Sequence, residues 1–335
     1  MSKILVVGNF DFEQYEESTC KSLEKSNHVV YRFKLSGAYN NLIGRIEYYF
    51  VLRSIISLFL SLKLLFCLRF KKVDVAIFWR TILLFDFVLK YAKCLGVKIV
   101  SYNNDDPFSP LYLTGNCHQK RLWTNFNRQI KYFDMNLVYR PVNIQEYKEK
   151  LGVNVKLWLP CFDLSLLNSS ESKYNTRTID VLFVGHWTEE REDICQHLKD
   201  NDIPLQVFGS GWNNSKTFRD ARHLNLSEYY SYLKSCKVAL GFLSKLNRDV
   251  YTRRNFEIPA SGAYMLSEHS EYLEEIFVNF PKVGFFKDKN DCLKLVKIIL
   301  GNYSSFVLDY SDQEFFIEQH SVDTRTKELL AHIEL

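Results

Sequence analysis

The chain lacks paired cysteines. Its eight, Cys20, Cys67, Cys94, Cys117, Cys161, Cys195, Cys236 and Cys292, stand singly, with no Cys-x-x-Cys spacing and no histidine at zinc-like intervals. That leaves out a zinc ribbon or a disulfide scaffold and points to reduced core thiols in a cytoplasmic protein. A strong charge of either sign is also missing. The formal net charge of +4 suits an anionic ligand or an acidic membrane surface, but falls short of the basic face that nucleic acid requires. No apolar run is long enough to cross a bilayer, because the most apolar stretch, 53–72, is interrupted by Lys63. The opening MSKILVVGNF enters a strand at once, so no cleavable signal is expected. No repeat of solenoid period occurs. The turn VGNFDF (7–12) has the first glycine of a dinucleotide fingerprint without the second and third, which argues against hydride transfer, and no cofactor is expected.

What is present is a chain of 335 residues, enough to bury a substantial core and form two domains. Short apolar runs alternate with helix-like segments. KILVVG, HVVYRFK, VDVAIF, KIVSYN, MNLVYR and VKLWLPC read as strands; 13–25, a long tract from about 42 to 70, 81–96, 120–132 and 142–152 read as helices. Continuous apolar strands separated by helices imply a parallel sheet covered on both faces. A polar, Ser/Asn-rich stretch at 163–178 reads as a linker, and a second alternating series runs from 180 to about 301. The expected fold class is α/β, with a Rossmann-like domain over 1–165, a second over 166–310, and a last helix over 311–335 that packs back toward the first.

The most informative run is NRDVYTRRNFEIPASG (247–262). It places Arg248, Arg253 and Arg254 a few residues ahead of Glu257 on a short helical turn. Arginine offers a planar, permanently charged fork for phosphate oxygens, and a carboxylate accepts from two neighbouring hydroxyls at once, so the run suits a nucleotide diphosphate with its ribose diol. A solvated basic loop before an ordinary helix fits the same residues.

The surroundings of this run resemble the C-terminal domain of the CgeB-like spore-maturation glycosyltransferases. Thr252, Arg254, Phe256, Glu257, Ala260, Ser261 and Gly262 stand at the positions of that family's Thr-x-Arg-x-Phe-Glu-x-x-Ala-Ser-Gly pattern, followed by a hydrophobic strand. VLFVGHWTEERE (181–192), QVFGSGW (206–212) and HSVDTRTKELL (320–330) add to the likeness, which is specific over about 181–330. The resemblance implies a GT-B arrangement of two Rossmann-like domains facing across a cleft and transfer of a sugar from a nucleotide-diphosphate donor without a metal. Glu257 takes the place of the second glutamate of a Glu-x7-Glu pair and is expected at the ribose; the first place holds Asp249. Arg254, helped by Arg248, Lys245 and Arg253, is expected at the diphosphate, with Ser261 and Gly262 in the same turn.

Other candidates lie at strand ends, where α/β folds bind ligands. Gly185 and His186 follow one strand of the second domain, and His186 suits a phosphate or the sugar. Gly209 and Gly211 permit close backbone approach after another, or make a tight turn with no ligand. In NNDDP (103–107), Asp106 and then Asp105 are the expected proton acceptors, because a base must reach the acceptor hydroxyl; an Asx turn ending at Pro107 fits as well. A metal-binding Asp-x-Asp is not present there, the two being adjacent. Residues 53–72 read either as a helix under the first sheet, with Ser54, Ser57 and Ser61 as a narrow polar stripe, or as an interfacial helix with basic ends. The partners expected are a nucleotide sugar, a glycan, lipid-linked or protein acceptor, and a peripheral membrane contact through 53–72, with no nucleic acid. A sugar-nucleotide epimerase and a non-catalytic coat or surface assembly protein are the alternatives.

Overall fold

The apolar runs become the strands of two parallel sheets, because each is long enough for a strand and the central ones are buried on both faces. A computed structural model describes residues 1–115, 117–170, 177–280, 282–307 and 310–334. It divides into two units: Met1–Leu159 with Lys245–Arg248 and Val322–Leu335, and Pro160–Ser244 with Asp249–Ser321.

In the first unit the order is β1 (Lys3–Gly8), α1 (Glu16–Lys25), β2 (Val29–Lys34), α2 (Leu42–Phe50), α3 (Ile55–Lys71), β3 (Val75–Trp79), α4 (Asp86–Cys94), β4 (Lys98–Asn103), α5 (Pro110–Gly115), α6 (Cys117–Gln129), β5 (Met135–Val138), α7 (Pro141–Leu151) and β6 (Lys156–Leu157). The sheet runs β2-β1-β3-β4-β5-β6 with every pair parallel. Leu5, Val7, Ala76, Phe78 and Ile99 pack against Trp123, Phe126 and Tyr147 in its core.

In the second unit α8 (Leu164–Ser169), β7 (Ile179–Val184), α9 (Glu189–Asp200), β8 (Leu205–Phe208), α10 (Leu226–Ser235), β9 (Cys236–Gly241), α11 (Arg254–Ala260), β10 (Tyr264–Glu268), α12 (Glu271–Ile276), β11 (Val283–Phe286), α13 (Lys289–Gly301) and α14 (Tyr310–His320) build a parallel sheet of order β11-β10-β9-β7-β8. The last helix, α15 (Val322–His332), belongs to the first unit, where its Asp323 accepts from Ser22 of α1 at 2.6 Å. The stretch read as a linker begins with α8, capped by Asp163, and 171–176 lie outside the described residues. Of the cysteines, Cys94 and Cys117 are exposed rather than in the core.

The helical tract expected from 42 to 70 is broken into α2 and α3, set 93° apart. The break has a cause in Glu47. Its buried carboxylate accepts from Ile56 N and from Ser57 N and Oγ, so it caps the start of α3, where the helix dipole favours a negative charge. Of the serine stripe, Ser54 is exposed and the other two turn inward. Ser57 and Ser61 are buried beside Leu60, Leu64 and Leu68, and Ser61 Oγ accepts from Phe85 N and donates to the Ser57 carbonyl. Burying Leu64 and Leu68 stabilises this contact by about 1.5–3 kcal/mol each. Phe59, Phe66 and Phe70 are left outside, 63%, 63% and 74% exposed. Among the described residues no single helix is long and apolar enough to cross a membrane.

Candidate functional site

In the second unit the carboxyl ends of β7, β8 and β9 carry the turns that bring functional groups together. The β7 and β8 turns are zipped by backbone: Gly185 N donates to the Phe208 carbonyl at 2.8 Å and Trp187 N to the Ser210 carbonyl at 2.9 Å. Gly209 has to be glycine. Its φ is +142°, and an added Cβ would lie 1.8 Å from the Gly185 carbonyl oxygen. His186 Nδ1 stands 3.0 Å from Ser210 Oγ at the exposed rim.

Arg191, on the first turn of α9, reaches back over these ends. It donates to the His186 carbonyl at 2.9 Å and to the Leu243 carbonyl at 3.4 Å, spanning the turns after β7 and β9. Burial, and after it the neighbouring Arg254 guanidinium, lowers Arg191 from its ordinary value. Two cations from separate elements therefore stand close together at the strand ends, and the buried Nε of Arg254 finds no acceptor among the described residues. Glu268, at the end of β10, accepts from Leu243 N at 2.6 Å and adds a negative charge nearby.

Glu257 sits one helical turn further on and is only 4% exposed. Tyr229 donates to its Oε2 at 2.9 Å; Tyr230 and Arg253 Nε donate to Oε1 at 3.0 and 2.7 Å. Burial first, then the Glu257 charge, pushes both phenols well above their ordinary value, so they remain donors. Ser261 and Gly262 do not join this group. They stand at the amino end of β10, where Arg177 donates to the carbonyls of Leu233, Cys236 and Ser261, because α11 runs from the carboxyl end of β9 back to the amino end of the neighbouring β10.

Lys245–Arg248 belong to the first unit, whereas Arg254 belongs to the second. Its φ of +48° is a left-handed conformation rare for arginine, and it turns the guanidinium onto two carboxylates. Nη2 donates to Asp106 Oδ1 at 2.9 Å and to Glu146 Oε2 at 2.7 Å. The bond to Asp106 leads the rise of Arg248 above its ordinary value. Burial disfavours the Glu146 charge, but bonds from Arg248, Lys150 and Asn143 outweigh it and hold that carboxyl below its usual range. Asp106 is fully buried and also accepts from Phe108 N and Asn143 Nδ2, closing an Asx turn. Asp105 differs: its side chain is 18% exposed and pairs with Arg80, after β3.

The structure thus brings Gly185, His186, Gly209, Arg254, Arg253 and Glu257 into one region of the second unit, and Asp105, Asp106, Arg248 and Lys245 into the first. The residues that sequence reasoning left out are Arg191, Tyr229, Tyr230 and Glu268. Arg191 lies within VLFVGHWTEERE (181–192), one of the stretches that carry the family likeness, but its place at the start of a helix reads equally as a solvated cation. The tyrosines carried no signal, since SEYYSYL reads as an ordinary amphipathic helix. Among the described residues no three His, Cys, Asp or Glu side chains cluster as metal ligands would.

Comparison with known proteins gives a sequence match over residues 190–331 to the family described as glycosyl transferase-like. No curated protein matches the sequence. Among solved structures, a sucrose-phosphate synthase from Thermosynechococcus elongatus is similar with a TM-score of 0.65 at 11% identity, covering 100% of this chain and 98% of the other. HepE of Anabaena in complex with UDP-glucose gives 0.63 at 10%, covering 100% of both chains. The UDP-GlcNAc 2-epimerase from Neisseria meningitidis bound to UDP-GlcNAc gives 0.60 at 10%, again over 100% of both. The fold class is α/β with two Rossmann-like domains, of GT-B type.

Proposed function

We propose that the protein transfers a sugar from a nucleotide-diphosphate donor to a hydroxyl of a glycan, lipid-linked or protein acceptor, in the manner of the CgeB-like enzymes and without a metal. The observation that supports it most is the pair Arg191 and Arg254 at the strand ends of the second unit, beside the close backbones of Gly185 and Gly209. As the acceptor oxygen bonds to the anomeric carbon, the bond from that carbon to the diphosphate breaks and its electron pair leaves with the nucleotide. Fixed cations beside that developing charge lower the barrier. The acceptor proton passes to a base, for which the partly exposed Asp105 is better placed than the buried Asp106, with His186 the candidate in the second unit. Arg253 holds Glu257, and Lys245 and Arg248 take a positioning role in the first unit.

Glu257 is assigned to the ribose hydroxyls through Oε2, exchanging the Tyr229 hydroxyl for a ligand hydroxyl. Glu257→Gln keeps the shape and removes the charge that strengthens this bond, so nucleotide affinity is expected to fall by about 1.5–3 kcal/mol. Isothermal titration with UDP or another nucleoside diphosphate on the folded variant checks this, and native affinity would refute the assignment. Activity is expected to survive EDTA, because the guanidiniums serve the diphosphate. Complete loss of turnover, restored by manganese or magnesium, would establish a metal-dependent reaction instead. A melting-temperature screen of nucleotide sugars tests the reading as a whole, since a ligand that binds only the native state raises it.

Epimerisation of the sugar nucleotide is the second reading, favoured by the likeness to UDP-GlcNAc 2-epimerases. Product formation with no acceptor present would select it, and nucleotide affinity without turnover would select a non-catalytic assembly role. The proposed location is cytoplasmic, with residues 53–72 touching the inner membrane face through the apolar outer side of α3.

A further inference from the structure

The first unit holds a cavity of about 660 Å³ that the donor chemistry does not use. Its wall includes Asn9 and Asp11 after β1, Arg80 after β3, and Arg45, Tyr48 and Tyr49 of α2. The position is that of a ligand site, at the carboxyl ends of parallel strands. Arg80 spends part of its fork on Asp105 and keeps further N–H donors. Arg45 makes no side-chain hydrogen bond or ion pair among the described residues.

The same helix that supplies this wall is apolar on another face. Leu42, Ile46 and Phe50 follow one another at four-residue spacing and are 76%, 46% and 46% exposed, a separate row from Arg45, Tyr48 and Tyr49. The outer side of α3 continues the apolar surface through Phe59, Phe66 and Phe70, with exposed Lys63, Arg69, Lys71 and Lys72 among them. Over 42–72 the single acidic residue, Glu47, is buried. A tyrosine-walled cavity that sets two arginines against one aspartate, Asp11, beside an exposed apolar row fits an amphipathic anion better than a free glycan or a plain hydrocarbon.

We infer that this cavity takes the phosphate-bearing head of a lipid-borne acceptor, with Arg45 and Arg80 at the phosphate and the hydrocarbon chain along Leu42, Ile46 and Phe50. This rests on the transfer reaction proposed above and names the acceptor class for it. Tyr48 and Tyr49 suit the boundary between the two parts, having an apolar ring and a polar tip.

The test uses the full chain with dihexanoylphosphatidic acid below its micelle-forming concentration, beside glycerol 3-phosphate and dihexanoylphosphatidylcholine, binding being read by calorimetry. The phosphatidic acid is expected to bind at least about ten-fold more tightly than either comparator, and Arg45→Ala and Ile46→Asp each to weaken it about ten-fold. Both residues are exposed, so the variants should keep the native circular dichroism and the native melting shift with nucleotide sugars. Equal binding of glycerol 3-phosphate would make this a site for free phosphate esters, and equal binding of the phosphatidylcholine would make it an apolar surface; either result, or no binding, overturns the inference. Failure of every nucleotide sugar to bind, with lipid binding intact, would instead sink the transfer reaction and leave this site standing.

Discussion

Asp105→Asn is expected to lower glycosyl transfer by about 10²–10⁴-fold, the usual contribution of a positioned base, while leaving nucleotide affinity near native. Asp105 and Asp106 are neighbours in sequence with different surroundings, and the pair of variants separates base from turn. Asp105 is partly exposed and faces Arg80, which lines the cavity of the first unit. Asp106 is fully buried, with Arg248, Asn143 and Phe108 N on its oxygens. Asp106→Asn should therefore cost stability, about 1.5–3 kcal/mol for a hydrogen bond to a charged partner, with transfer per folded molecule within a few-fold of native. Urea unfolding and single-turnover transfer on both variants decide it. Normal transfer in Asp105→Asn together with a 10²-fold loss in a stable Asp106→Asn would return the base to Asp106, and normal transfer in both would move it to His186.

Arg254→Gln is expected to lower kcat by about 10²–10³-fold, the cost of removing one fixed donor from developing negative charge. Arg191→Gln should cost a similar factor, because both guanidiniums stand at the same strand ends and the Arg254 charge disfavours that of Arg191. That repulsion gives the prediction a second readout. An anion between two like charges relieves it, so the native melting temperature should rise with added pyrophosphate and the rise should shrink in either variant. A kcat within about three-fold of native in both variants would remove the diphosphate from this place, whatever the acceptor proves to be.

Much of this was legible in the chain itself. Strands such as VDVAIF and KIVSYN carry consecutive apolar residues rather than strictly alternating ones, as a sheet covered on both faces allows, so two parallel α/β domains followed from pattern alone. Gly209 and Gly185 were visible as glycines at strand ends, and the structure adds why: the two backbones touch. Arg254 and Glu257 were visible through their spacing on one short helix.

Spacing could not say where that helix begins and ends relative to the sheet. Because α11 carries the chain from the carboxyl ends of the strands back to their amino ends, Arg254 falls at the former and Ser261 and Gly262 at the latter, although Ser261 is only seven positions after Arg254. Nor could it show that Arg248, six residues before Arg254, turns away to hold Asp106 and Glu146, since those partners lie more than a hundred residues off. The serines of α3 were read only as a narrow polar stripe, and the structure adds that the buried Glu47 carboxylate holds Ser57 inward while the phenylalanines stay outside. Local pattern determined which segments are strands and helices, because hydrophobic periodicity acts within a few residues. Which charges meet was decided by the tertiary structure, because a buried carboxylate or guanidinium must find its partner wherever the fold places one.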